Sequence, residues 1–232
     1  MKTLEILFWL FLFIIFYSYL GYGILLYIII KIRRILGLSK KFDGTQDYEP
    51  EVTLFVAAYN EKDYVDEKVK NSFSLNYPKE KVKQVWVTDG SDDGTPDMLK
   101  KYEGVEVYHL NERGGKIGAM NRGMQFVKTP IVIFSDGNTN LGTDSIQEIV
   151  NLFKNPKVGC VSGEKRIYMK DADAAAGAGE GLYWKYESTL KKWDAELYSV
   201  VGAAGELFAI RTELWQEVEK DTLLDDFIIS LR

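Results

Sequence analysis

The run Ile131-Val132-Ile133-Phe134-Ser135-Asp136-Gly137-Asn138 decides how this chain is read. Its leading apolar residues suit a strand buried on both faces of a parallel sheet. The run then stops at a carboxylate, a glycine and an amide. Open α/β sheets bind their ligands outside the carboxyl ends of the strands, which is where Asp136 would stand. Asp136 and Asn138 offer hard oxygen donors of the kind that Mg2+ or Mn2+ takes. An ordinary Asp-Gly turn closing a strand is the plainer alternative.

Working outward, two more apolar runs end in polar turns. Residues 52–58 read as a strand that runs into Tyr59-Asn60-Glu61, and residues 82–88 as one that runs into Asp89-Gly90-Ser91-Asp92-Asp93-Gly94-Thr95. Further strands are expected over 105–109, 158–162 and 207–210, and helices over 116–128, 143–154, 177–197 and 212–220. Asp63 is the expected N-cap of a helix carrying Val65, Val69 and Phe73. The stripe Leu182, Tyr183, Tyr186, Leu190, Trp193 and Leu197 reads as core packing, with a sugar platform as the other reading. Strands alternating with helices predict an α/β fold, a mostly parallel, doubly wound sheet with helices on both faces. In such a sheet the three polar turns share one edge. Several acids gathered there repel one another unless a divalent cation intervenes, and with Arg113 and Lys116 nearby the edge suits a diphosphate.

Three superficially similar motifs fail. Asp89-Gly90-Ser91-Asp92-Asp93-Gly94 opens like a calcium loop, but its twelfth position is Lys100 and a strand precedes it. Gly114-Gly115-Lys116 lacks the remaining phosphate-loop residues, and residues 177–181 do not fit the dinucleotide fingerprint.

Composition narrows the class further. Residues 6–30 carry no charge, and at ~1.5 Å per residue they exceed the ~30 Å hydrocarbon core. Such a run is too long for a secretory signal core and lacks a small-residue cleavage site, so a retained transmembrane helix is expected. Lys31, Arg33, Arg34, Lys40 and Lys41 follow it, against Lys2 and Glu5 before it. That asymmetry puts the remainder on the cytoplasmic side. The expected organisation is a transmembrane helix with its basic flank over 1–34, a linker over 35–50, and one α/β domain over 51–232. A net charge of −5 argues against a nucleic-acid partner, and one histidine, His109, argues against His-based zinc or triad chemistry. Cys160 stands alone, so no internal disulfide forms.

Six segments occur in order: Val56-Ala57-Ala58-Tyr59-Asn60-Glu61, the Asp89–Thr95 run, Gly114-Gly115-Lys116, Asp136-Gly137-Asn138, Gly202-Ala203-Ala204-Gly205 and Asp225-Asp226-Phe227. Together they resemble a family 2 glycosyltransferase of the GT-A fold, in the membrane-tethered group that makes cellulose, chitin, hyaluronan and poly-N-acetylglucosamine. The resemblance implies that Ala58, Tyr59 and Glu61 cradle the nucleoside of a UDP-sugar. It implies that Asp89 meets the uracil edge, Asp92 the ribose or diphosphate, and Lys116 the same pocket. Asp136 and Asn138 match the metal motif, with Asn in place of the second acid. Gly205 lies in the loop lining the sugar and acceptor site, and Asp226 matches the catalytic base. The implied reaction is an inverting, Mg2+- or Mn2+-dependent transfer to a hydroxyl of a glycan acceptor, at the cytoplasmic membrane face. The family continues past the base with an acceptor-gating motif and more membrane helices, so a C-terminally truncated chain, or a partner subunit supplying those parts, is expected. Two other readings stand beside this one: a non-catalytic nucleotide-sugar-binding subunit, and a nucleotidyltransferase.

Overall fold

A computed structural model describes residues 2–38, 48–166 and 174–231, the last span with backbone only over 174–180. The expected linker 35–50, with Lys40 and Lys41, lies largely outside the described residues. The chain divides into two compact units, residues 1–42 with 166–200 and residues 43–165 with 201–232.

The second unit holds a six-stranded sheet. Its strands are β1 (Val52–Ala58), β2 (Val82–Asp89), β3 (Val105–Leu110), β4 (Ile131–Asp136), β5 (Cys160–Ser162) and β6 (Leu207–Arg211), in the spatial order β3-β2-β1-β4-β6-β5. The first four are mutually parallel, while β6 runs antiparallel to β4 and to β5. The chain therefore builds outward from β1 through β2 to β3, then returns to the other flank of β1 with β4. That reversal opens the crevice in which doubly wound sheets take ligands.

Register sets what the crevice contains. Ala57 lies opposite Asp136 on one side and Val87 on the other. Because strand side chains alternate, Phe55, Val87 and Phe134 share one face, and Asp89 and Asp136 follow on that face. This face packs against α5 (Gly115–Met124) and α8 (Asp225–Leu231), through Ile117, Met120, Met124 and Ile229. The opposite face carries Leu54, Val56, Trp86 and Ile133. It is covered by α3 (Lys62–Phe73), α4 (Thr95–Leu99) and α6 (Ser145–Leu152).

Contact is close where α5 crosses the sheet. A Cβ at Gly123 would come within 2.4 Å of the Phe55 ring and 2.5 Å of Val87.

On the opposite face the buried ammonium of Lys68 in α3 donates to Ser135 Oγ at 2.6 Å and to the Thr139 carbonyl. It thereby holds the turn after β4 at both ends. Burial pushes Lys68 down to about 8, although the Asp136 charge opposes the shift.

Three local expectations are corrected. Asp63 lies inside the first turn of α3, and the helix start is instead capped from the Asp89–Thr95 loop. Asp93 Oδ2 accepts the Lys62 N–H at 3.1 Å and Thr95 Oγ1 accepts the Glu61 N–H at 3.1 Å. The helix expected over 212–220 is only a 3-10 turn, Thr212–Leu214. Beyond it the Asn121 side chain takes both backbone groups of Val218, at 2.7 and 3.1 Å, in place of a helical ladder.

The third correction concerns α7 (Ala174–Leu197), which groups with the N-terminal helix and not with the sheet. Of the stripe expected to be core, Leu182, Tyr183 and Tyr186 are exposed. That N-terminal helix, Lys2–Ile35, is the one among the described residues long and apolar enough to cross a membrane. It comprises α1 (Lys2–Phe16), a π-turn (Tyr17–Gly21) and α2 (Tyr22–Ile35).

Two outcomes follow from this packing. Gly123→Ala gains about 1 kcal/mol of helix propensity, but overpacks a rigid aromatic contact at about 1–3 kcal/mol or more. Net destabilisation is expected, read as a lower urea midpoint by Trp fluorescence in mild detergent. For Lys68 the folded pKa lies below the ordinary lysine value of 10.5, so between the two the unfolded chain binds the extra proton. Stability therefore rises as pH climbs from about 8 to 10.5. Relative to Lys68→Met, in EDTA, the native chain should gain on the order of 1–3 kcal/mol across that window; a constant difference would contradict it.

Candidate active site

Asp89 is buried, and its position explains the glycines opposite it. Asp89 Oδ2 accepts the N–H groups of Gly114 and Gly115, each at 2.7 Å, and Oδ1 accepts Arg122 Nη1 at 3.0 Å. The carboxylate thus seats the loop that begins α5 and aims its first residues into the crevice. Gly90 permits this approach, since a Cβ there would stand 2.8 Å from Arg113 Cβ and its φ is +70°. The Arg113 guanidinium lies 3.8 Å from the Tyr59 ring centroid, a cation–π contact at the mouth of the crevice.

Lys116, one residue into α5, ties the edge together. Its Nζ donates to Asp136 Oδ1 at 2.9 Å and stands 3.8 Å from Asp225 Oδ2. Burial alone would lower the Lys116 pKa, but Asp136, then Asp225 and Asp226, hold it above the usual lysine value. Glu61 faces the same cluster. Burial, then the charges of Asp136 and Asp93, push its carboxyl above the usual range. Glu206 is pulled the other way: burial would raise it, but Lys165 and then Lys116 hold it down.

Antiparallel β6 brings the Gly202–Gly205 segment to this edge, because Leu207 pairs with Ser135 and the Glu206 carbonyl accepts the Asp136 N–H at 3.3 Å. Here two glycines seat the first turn of α8. A Cβ on Gly205 would lie 3.0 Å from Asp226 Oδ2, and one on Gly202, at φ +77°, 2.9 Å from the Phe227 ring. Ser230 Oγ closes the contact by accepting the Ala203 N–H at 3.1 Å.

The expected residues converge. Ala58, Tyr59, Glu61, Asp89, Lys116, Asp136 and Asn138 line one open cavity of about 370 Å³. An adjoining recess shares Lys116 and Asp136 and adds Gly205, against which Asp226 rests. Asp92 is the exception. It is exposed and exchanges hydrogen bonds with Asn60, at 2.9 and 3.1 Å, bracing the Tyr59-Asn60-Glu61 turn from outside the cavity. Asn60 itself adopts φ +52°, a strained value for which this bracing compensates. The sequence motifs assign no role to Lys68, Arg122 or Asp225, although Asp225 stands in the segment that holds Asp226. No motif marks the first two, and their signal is steric: each is a long cation set on a helix face that must meet the sheet.

Among the described residues no group of three His, Cys, Asp or Glu side chains could cage a metal ion. The donor set fits a divalent cation nonetheless. One carboxylate, Asp136, and the exposed amide of Asn138 are hard oxygen ligands, and Mg2+-type sites commonly draw their remaining ligands from substrate phosphates and water.

Comparison with known proteins agrees with this geometry. Residues 53–218 match the family model described as Glycosyl transferase family 2. The chain is 30% identical over 203 residues to a beta-monoglucosyldiacylglycerol synthase of Nostoc sp., covering 79% of this chain and 41% of that protein. It is 30% identical over 139 residues to a poly-beta-1,6-N-acetyl-D-glucosamine synthase of Staphylococcus aureus, covering 58% and 33%. Among solved structures, the mannosyltransferase PcManGT from Pyrobaculum calidifontis, in complex with GDP-Man and Mn2+, superposes with a TM-score of 0.70 at 25% identity, covering 92% of this chain and 59% of that one. The chain spans less than half the length of these two curated relatives. With its mostly parallel GT-A-like sheet and its motifs gathered at one edge, this chain belongs to glycosyl transferase family 2.

Proposed function

We propose that this glycosyltransferase moves a sugar from a UDP-linked donor to a hydroxyl of a glycan or glycolipid acceptor, with inversion. The reaction would take place at the cytoplasmic face of a membrane crossed by the N-terminal helix. The observation that carries this reading is the position of Lys116, bonded to Asp136 and within the field of Asp225 and Asp226. The GDP-Man and Mn2+ bound by the solved relative support a nucleoside-diphosphate sugar and a divalent ion as the matching ligands.

In this reading Tyr59 and Glu61 hold the nucleoside against Ala58. Asp89 Oδ2 is filled by Gly114 and Gly115, but Oδ1, which accepts only Arg122, keeps a second lone pair available to the base. Asp92 acts through Asn60, and Arg113 and Lys116 face the diphosphate. Asp136 and Asn138 would hold Mg2+ or Mn2+, whose chemistry is to neutralise charge on the departing diphosphate. Lys116 has three donors, so its ammonium can turn from Asp136 towards phosphate oxygens. Asp226, beside Gly205, accepts the proton of the attacking hydroxyl, which makes that oxygen nucleophilic as the anomeric bond breaks. Asp226 can approach the acceptor loop at 202–206 because Gly205 offers no side chain there.

The test is nucleoside-diphosphate release by the purified chain in detergent with Mn2+, screened over UDP- and GDP-sugars. Asp226→Asn should lower turnover about 10²–10⁴-fold while leaving UDP affinity unchanged. Turnover that survives the substitution would remove Asp226 as base. Release of pyrophosphate from sugar phosphate and nucleoside triphosphate would make the chain a nucleotidyltransferase.

A further inference from the structure

We infer that the cytoplasmic boundary of the membrane hydrocarbon crosses the N-terminal helix at residues 17–22, so that α1 and the π-turn lie in lipid while α2 stands beyond it, docked on α7. This rests on the reading of Lys2–Ile35 as a membrane crossing, and it differs from the span over 6–30 that hydropathy alone suggests.

The two halves of the helix have different surroundings. α1 buries none of its residues, whereas α2 buries Gly23, Leu26 and Ile30. The partner of α2 is α7. Tyr186 donates its hydroxyl to the Tyr19 carbonyl at 2.8 Å, and a Cβ at Gly23 would fall 2.6 Å from that hydroxyl and 3.2 Å from Leu190. Tyr27 packs on Trp193 at 5.5 Å between centroids. Two contacts then fix the depth. Tyr22 donates to the carboxylate of Asp194, and Arg34 grips Glu196 with two bonds of 2.9 and 2.6 Å.

A span over 6–30 would sink Asp194, and the exposed Lys192 of α7, into hydrocarbon alongside α2. A charge at that depth costs several times what an isoleucine gains there. Exposure does not separate the two halves, since Ile24, Leu25, Ile28 and Ile32 of α2, at 45–53%, match Leu10, Leu12, Ile14 and Phe16 of α1. The charges therefore decide the boundary. Length allows it: the uncharged residues 6–21 extend about 24 Å at ~1.5 Å per residue, short of the ~30 Å hydrocarbon core by a mismatch that local thinning of the bilayer absorbs at modest cost. Tyr17, Tyr19 and Tyr22 then stand at the interface, the depth tyrosine favours.

Single cysteines read this directly, because a thiol reacts through its thiolate, which forms in water and is suppressed in hydrocarbon. On a Cys160→Ser background, Leu12→Cys, Leu25→Cys and Ile28→Cys are placed in the full chain in phosphatidylcholine–phosphatidylglycerol vesicles, with a charged maleimide on both sides. Leu12→Cys should react ~100-fold or more slowly than in the SDS-unfolded chain, and Leu25→Cys and Ile28→Cys within ~10-fold of it. Protection at position 25 or 28 overturns the boundary. Free reaction at all three positions overturns the membrane crossing itself.

Discussion

The bond between Lys116 and Asp136 is the constraint on which the rest of the site depends. It joins the first turn of α5 to the carboxyl end of β4 across β1, and places one ammonium where Glu61, Asp225 and Asp226 also converge. A parallel sheet with a reversal between β1 and β4 supplies the edge. Alternation of side chains supplies the face, since Asp89 and Asp136 both point towards α5. Asp89 completes the arrangement from below by fixing the loop that carries Arg113 and Lys116. The site is thus acidic and partly enclosed, with cations placed to receive a diphosphate and carboxylates that leave room for a divalent ion.

The glycines of the family motifs have separate physical reasons. Gly114 and Gly115 turn their N–H groups to Asp89, and Gly90 clears space for Arg113. Gly202 and Gly205 let α8 set Asp226 against the loop without a side chain between them. The acids of the Asp89–Thr95 run divide similarly. Asp89 builds the crevice, Asp92 braces Asn60, and Asp93 caps α3 while three hydrogen bonds from Thr95 and Lys62 hold its carboxyl down against the rise that burial would cause. A motif that reads as one acidic cluster is therefore mostly scaffolding for the turn beside it.

The parallel core was legible in the sequence because β1 and β4 are almost wholly apolar runs, Thr53 apart, with abrupt polar ends, the pattern of a doubly covered strand. The convergence of Glu61, Asp89, Lys116 and Asp136 was legible for the same reason. The helix expected over 212–220 was not to be had from periodicity, because an asparagine from α5 captures Val218 across the fold. The place of α7 was hidden too. Its apolar spacing fits a core helix equally well, and only tertiary contacts show that α2 is its partner. Lys68 escaped notice because a lysine amid charged neighbours reads as solvated, and its burial appears only once α3 lies on β4.

The account's central claim is that the acidic edge receives a divalent ion and a nucleoside diphosphate as a coupled pair. Calorimetric titration of the full chain in detergent with UDP, in Mn2+ and again in EDTA, measures that coupling. Affinity for UDP should rise about tenfold or more with Mn2+, and affinity for Mn2+ should rise by the same factor with UDP, as linkage requires. Equal UDP affinity in Mn2+ and EDTA would contradict the account.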